Sequence, residues 1–161
     1  MKNNVLALAS FLIAVSLNTS AETRYSGKFD YRKFEPSTTY FQGRTSAQVD
    51  HLCKTGEHAG TGDIEECGHR DFERATAKLD KIIASSTADI KKNDVDLARD
   101  NQPAALPYFL KAETAWRQYR DNTCYSGSYQ IGEASLKYVD FWHCMATMTQ
   151  NHAKELTRKD E

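Results

Sequence analysis

Only three prolines interrupt these 161 residues, and two of them, Pro103 and Pro107, lie close together. Long stretches are therefore free to run as helices, because the residue that breaks them is missing. No pair of cysteines has C-x-x-C spacing, which weighs against a zinc site built from them. There is no H-E-x-x-H and no pair of histidines at i, i+4, so a zinc hydrolase has no ligand set to start from. No G-x-S-x-G elbow occurs either. Charge of one sign is also missing. The formal net charge is −1, which argues against nucleic acid or an anionic membrane as the main partner.

Long apolar runs are nearly absent. One extends from Val5 to Leu17, behind the basic Lys2 and ahead of a small-residue exit, Thr19-Ser20-Ala21. It is shorter than the roughly 20 residues that cross a bilayer, and the pattern is that of a secretory signal peptide over residues 1–21, cleaved after Ala21. The competing reading is an uncleaved anchor. No cysteine stands at the exit to carry a lipid, so the expected product is periplasmic, with no membrane span after processing. With Lys2 removed, 20 basic groups face 22 acidic ones.

What is present is helical. Residues 22–50, "ETRYSGKFDYRKFEPSTTYFQGRTSAQVD", show no helical period and read as an N-terminal arm, extended or disordered. From Asp63 the pattern changes. Phe72, Ala75, Leu79, Ile82, Ile83 and Ile90 recur at three- and four-residue steps, one face of an amphipathic helix that weakens by "NDVDLARDNQP". A second helix follows Pro107, and Phe109, Ala112, Trp116 and Tyr119 share a face expected to be core. Arg117 and Arg120 lie beside it, their guanidinium groups available to acids on a neighbouring helix. Arg120 and Asp121 read as helix-end electrostatics and capping, with Cys124 closing the helix. "YSGSYQIGE" then has the composition of a loop. A third helix is expected from about Ala134 to Leu156. The fold class is thus all-α: a small antiparallel bundle of about three long helices over 51–158, with a short element near Cys53.

Four cysteines, Cys53, Cys67, Cys124 and Cys144, in an exported chain suggest two disulfides with three possible connectivities. A four-cysteine zinc site is the weaker alternative. An antiparallel hairpin would bring Cys124 to Cys144, and Cys53 and Cys67 bracket a glycine-rich loop. The pairing 53–67 with 124–144 is therefore favoured, and crossed pairings stay open.

Catalytic residues are not expected. Glu65 and Glu66 are a carboxylate pair in name only, since neighbours on a helix point apart; both read as a solvated first turn. No metal and no cofactor are expected.

The array "AETAWRQYRDNTC", a glycine–serine segment, and then "YVDFWHCMATMTQNHAKEL" resembles the LprI-type lysozyme-inhibitor N-terminal domain family, in which an A-W-x-x-(F/Y)-R-D-x-x-C helix precedes a loop and a cysteine-bearing helix. "TGDIEEC" upstream matches the family's usual start. The likeness covers about residues 50–157, with Trp116, Tyr119, Arg120, Asp121 and Cys124 in place. It departs at residues 22–50 and in lacking a lipid-bearing cysteine. The resemblance implies an inhibitor whose partner is a lysozyme-like or other cell-wall-degrading enzyme. Tyr125, Ser126, Gly127, Ser128 and Tyr129 are the expected contact, a hydroxyl-rich loop reaching the enzyme's active-site cleft. "SGSY" is similar to short Ser-Gly-x-Tyr loops of unrelated periplasmic lysozyme inhibitors. Two other readings compete: an immunity protein that neutralises a secreted cell-wall toxin, and a structural envelope module with no enzyme target.

Overall fold

The computed structural model describes residues 23–158. The expected signal peptide and its cleavage point lie outside the described residues. Five α-helices occur in the order α1 (Ser37–Tyr40), α2 (Ser46–Thr55), α3 (Thr61–Arg99), α4 (Leu106–Ile131) and α5 (Lys137–Thr157), and no strand is found among the described residues.

Several helix ends have a local cause. Thr45 and Gln48 form a capping box at the start of α2, and Gly56, at φ 66°, ends it in the left-handed region. α3 runs past the point where its apolar pattern fades, for 39 residues, until Asn101 turns left-handed at φ 52°. Asp94 gives a reason for the extension. Its two carboxylate oxygens accept the backbone N–H groups of Ala105 (2.8 Å) and Leu106 (3.1 Å), so a residue of α3 caps the start of α4. Pro107 sits in the first turn of α4, where its missing N–H costs nothing.

α3, α4 and α5 pack up-down-up, as expected of an antiparallel bundle, with the most extensive interface between α3 and α5. Phe72, Leu79, Phe141, Trp142, Met145 and Ala146 fill that interface. Gly68 permits the close approach: a Cβ there would stand 3.1 Å from Cβ of Trp142. Both favoured disulfides are present, Cys53–Cys67 tying α2 to α3 and Cys124–Cys144 tying α4 to α5.

Residues 22–50 depart most from the expectation of an extended or disordered arm. From Thr23 onward they form a strap, with a short 3-10 turn (Tyr31–Lys33) followed by α1. Phe29 packs its ring 4.9 Å from those of both Tyr138 and Phe141, and Phe34 meets Trp142 at 5.4 Å. Aromatic side chains without periodicity have found separate partners on three different helices. Two buried charges also depend on the strap. Lys137, 2 % exposed, donates to the carbonyls of Tyr25 (2.7 Å) and Gly27 (3.0 Å). Glu65, expected to be solvated, is 1 % exposed and pairs with Arg24.

Candidate functional site

The segment expected to be a presented loop is the last two turns of α4, which continues through Cys124 to Ile131. Glycine and serine favour loops locally, but here tertiary contacts hold the backbone helical. Ser128 is buried and donates to the carbonyl of Lys137 at 3.1 Å. Tyr125 is half-buried, its hydroxyl accepting the Tyr31 N–H at 3.1 Å, and burial pushes its pKa up. Tyr129 accepts from the Phe29 N–H at 3.3 Å and stacks on Tyr125. Helical geometry therefore splits the five residues. Tyr125, Ser128 and one edge of Tyr129 face the strap and α5, while Ser126 and Gly127 face solvent.

The upstream half of α4 shows a related correction. The expected face of Phe109, Ala112, Trp116 and Tyr119 is rotated in the structure. Tyr119 is 62 % exposed, Ala112 is exposed, and Trp116 is only partly covered. Arg120, Asp121, Cys124 and Glu113 take the inner positions instead.

Arg120 is stable there because every nearby partner suits a guanidinium. Its Nε and Nη2 donate to Asp121 Oδ1 (3.0 and 2.7 Å), and Nη1 donates to Thr149 Oγ1 at 3.2 Å. Its Cζ lies over the rings of Phe72 (5.1 Å) and Trp116 (5.3 Å). Asp121 Oδ2 accepts from Arg32 (2.8 Å) and from the Tyr31 hydroxyl (3.1 Å), both on the strap. Desolvation raises the pKa of Tyr31, with the Asp121 charge adding to the effect. Arg120 and Asp121 are thus the centre of a buried network rather than a helix-end cap. A charge pair so fully bonded fixes the register of α4 against α5 and the strap.

Two histidines form further buried pairs. His152 Nε2 faces both oxygens of Glu113 (3.1 and 3.0 Å), with the Trp116 ring stacked on the imidazole at 3.9 Å. His69 lies between Glu66 and Glu73 and stacks on Trp142 at 4.0 Å. Neither is hydrogen-bonded to a hydroxyl or thiol nucleophile among the described residues, and no group there of three or more His, Cys, Asp or Glu could hold a metal ion. The Glu113–His152 pair joins α4 to α5, whereas Glu66 and Glu73 share α3 with His69, whose ring reaches α5 through Trp142.

What remains facing solvent is a stripe along α4. Tyr108, Ala112, Ala115 and Tyr119 recur at helical spacing, all exposed. Beyond them Tyr119, Asn122, Thr123, Ser126, Gly127 and Gln130 line a shallow open hollow of about 520 Å³. A Cβ at Gly127 would meet nothing within 4 Å. Small and hydroxylated residues flanked by a projecting tyrosine make a surface that another protein can approach closely. The sequence held one signal of it: Tyr108, Ala112, Ala115 and Tyr119 themselves have the spacing of a face.

Among the described residues, no helix is long and apolar enough to cross a membrane. No solved structure matches the chain. A protein of Rhizobium meliloti (strain 1021), itself described as uncharacterised, is 28 % identical over 99 residues, 58 % of this chain and 69 % of its own length. The family model "Lysozyme inhibitor LprI" matches residues 53–156, which span α3, α4, α5 and both disulfides. This chain belongs to the LprI lysozyme inhibitor family.

Proposed function

We propose that the protein is a periplasmic inhibitor that binds a lysozyme-type peptidoglycan hydrolase and blocks its active site with the solvent face of α4. The family match carries the class of partner. The observation that supports the surface is the stripe from Tyr119 to Gln130, which includes Ser126 and Gly127, the residues of the expected contact segment that line it. Ser126 and Gly127 stay in the binding surface, Tyr129 stands at its rim, and Tyr125 and Ser128 support it from beneath. A hydrolase cleft of this class carries paired carboxylates and sugar-binding groups. A preformed helical face with hydroxyls at Thr123 and Ser126 can bond to them without first ordering a loop, so less of the interaction is offset by conformational entropy.

The test is to obstruct the face without disturbing the fold. Gly127→Arg projects into open space and Tyr119→Ala removes an exposed ring. Each should leave the fold intact, with Tm unchanged for Tyr119→Ala and slightly raised for Gly127→Arg because glycine is a poor helix former, while weakening inhibition of a responsive lysozyme by about thirtyfold, the effect of losing about 2 kcal/mol at an interface hot spot. Both variants inhibiting like the parent would remove α4 as the binding face. An unmutated protein inert against a panel of lysozymes would remove the inhibitor reading itself and favour immunity against a different wall-degrading toxin.

A further inference from the structure

α4 covers one side of the seam between α3 and α5, contacting α5 through Cys144, Thr149 and His152. On the other side α2 reaches only part of the seam, where its Asp50 takes Arg70 (2.8 Å) and Arg74 (3.1 Å). Above Arg74 the seam is uncovered. Ala75 and Ala153, both buried, form its floor because neither side chain is long enough to fill the gap. The result is a hollow of about 340 Å³ with Asp71, Arg74 and Lys78 on one wall and Gln150 and Lys154 on the other. That volume lies within the roughly 300–1,000 Å³ typical of ligand sites.

Charge gives the hollow its character. Arg74, Lys78 and Lys154 stand against the single carboxylate of Asp71, on a chain whose overall balance is slightly acidic. Neither lysine has an ion-pair partner among the described residues, and the Arg74 charge is shared with Asp50. Asp71 disfavours a compact polyanion, whereas it and the Gln150 amide can exchange hydrogen bonds with peptide groups.

We propose that this uncovered seam is a binding site for an acidic peptide segment, its carboxylates paired with Lys78 and Lys154 and its backbone lying over Ala75 and Ala153. The site is on the side of the molecule away from the α4 stripe. It stands whether or not a hydrolase is the partner, and the test uses no enzyme.

The probe is tri-glutamate titrated into ¹⁵N-labelled protein, with tri-lysine and inorganic phosphate in parallel. Tri-glutamate should shift the amide signals of Ala75, Lys78, Gln150 and Ala153 in a saturable manner, more weakly as salt is raised. The double variant Lys78→Glu/Lys154→Glu should lose at least about tenfold in affinity, as expected of two reversed charges at close range. Should that variant fold poorly, Lys78→Gln/Lys154→Gln should show a smaller loss in the same direction. Absent shifts, shifts unaffected by both pairs of substitutions, or equal shifts from phosphate would overturn the proposal.

Discussion

The two ends of the bundle are built on different principles. At the end where α4 finishes and α5 begins, the strap, the Cys124–Cys144 disulfide and most aromatic contacts converge on Phe29, Tyr138, Phe141 and Trp142. At the other end α3 continues beyond the reach of α5 and, among the described residues, is paired with the start of α4. Its half-buried Ile90, Asp94 and Leu97 face that helix, while Val95, Tyr108 and Leu110 are exposed. The first end is fixed by long-range contacts, the second by helix propensity and one caprock residue, Asp94. Stability should therefore be concentrated at the strapped end, and the far hairpin should open locally at lower cost.

The sharpest way to break that contrast is Trp142→Ala. Trp142 is fully buried beneath Phe34, His69 and Phe72, so its loss should cost about 3–5 kcal/mol in chemical denaturation. A value below about 1 kcal/mol would show that the aromatic end does not dominate stability.

A subtler probe of the same end is pH. Burial raises the Glu65 pKa, an effect the Arg24 charge opposes and Glu66 reinforces. The folded state thus holds this proton more tightly than the unfolded chain does. The contribution of Glu65 is full below the ordinary carboxylate range and is lost as pH rises through its elevated folded value. Glu65→Gln removes that slope. Urea midpoints should move in favour of the variant as pH rises from about 3 to about 7, and parallel pH profiles for the two proteins would contradict the assignment.

The smallest effect is expected at the opposite end. Tyr108 is 72 % exposed, and Tyr108→Ala should change stability by less than about 0.5 kcal/mol. A larger loss, dependent on protein concentration, would mean that the hairpin is covered in solution.

The same contrast explains what the sequence made legible. Phe72, Ala75 and Leu79 repeat at helical spacing because their partners lie along a neighbouring helix, so the bundle and the pairing of its cysteines could be anticipated. Arg120 could not. Ranking by hydrophobicity places Tyr119 inside and Arg120 outside, whereas Tyr31 and Arg32, about ninety residues away, complete the buried network that reverses them. "YSGSYQI" has loop composition, and its contacts with Phe29, Tyr31 and the Lys137 carbonyl show why it stays helical. In the candidate site, composition puts forward Ser126 and Gly127, while Tyr119, Asn122 and Thr123, which line the same hollow, become visible only once α4 is known to continue.

The strap also imposes an order on the making of the molecule. The Tyr138 hydroxyl donates to the carbonyl of Arg24 across 114 residues of sequence, and Lys137 reaches Tyr25 across 112. A chain synthesised from its N-terminus delivers the strap first and its docking surface last. Until α5 emerges, Phe29, Tyr31 and Phe34 have no groove to enter, and this apolar segment is open to chaperones and proteases. Closure of the aromatic end is a late, high-contact-order event, so the first residues of the domain to appear are among the last to become safe.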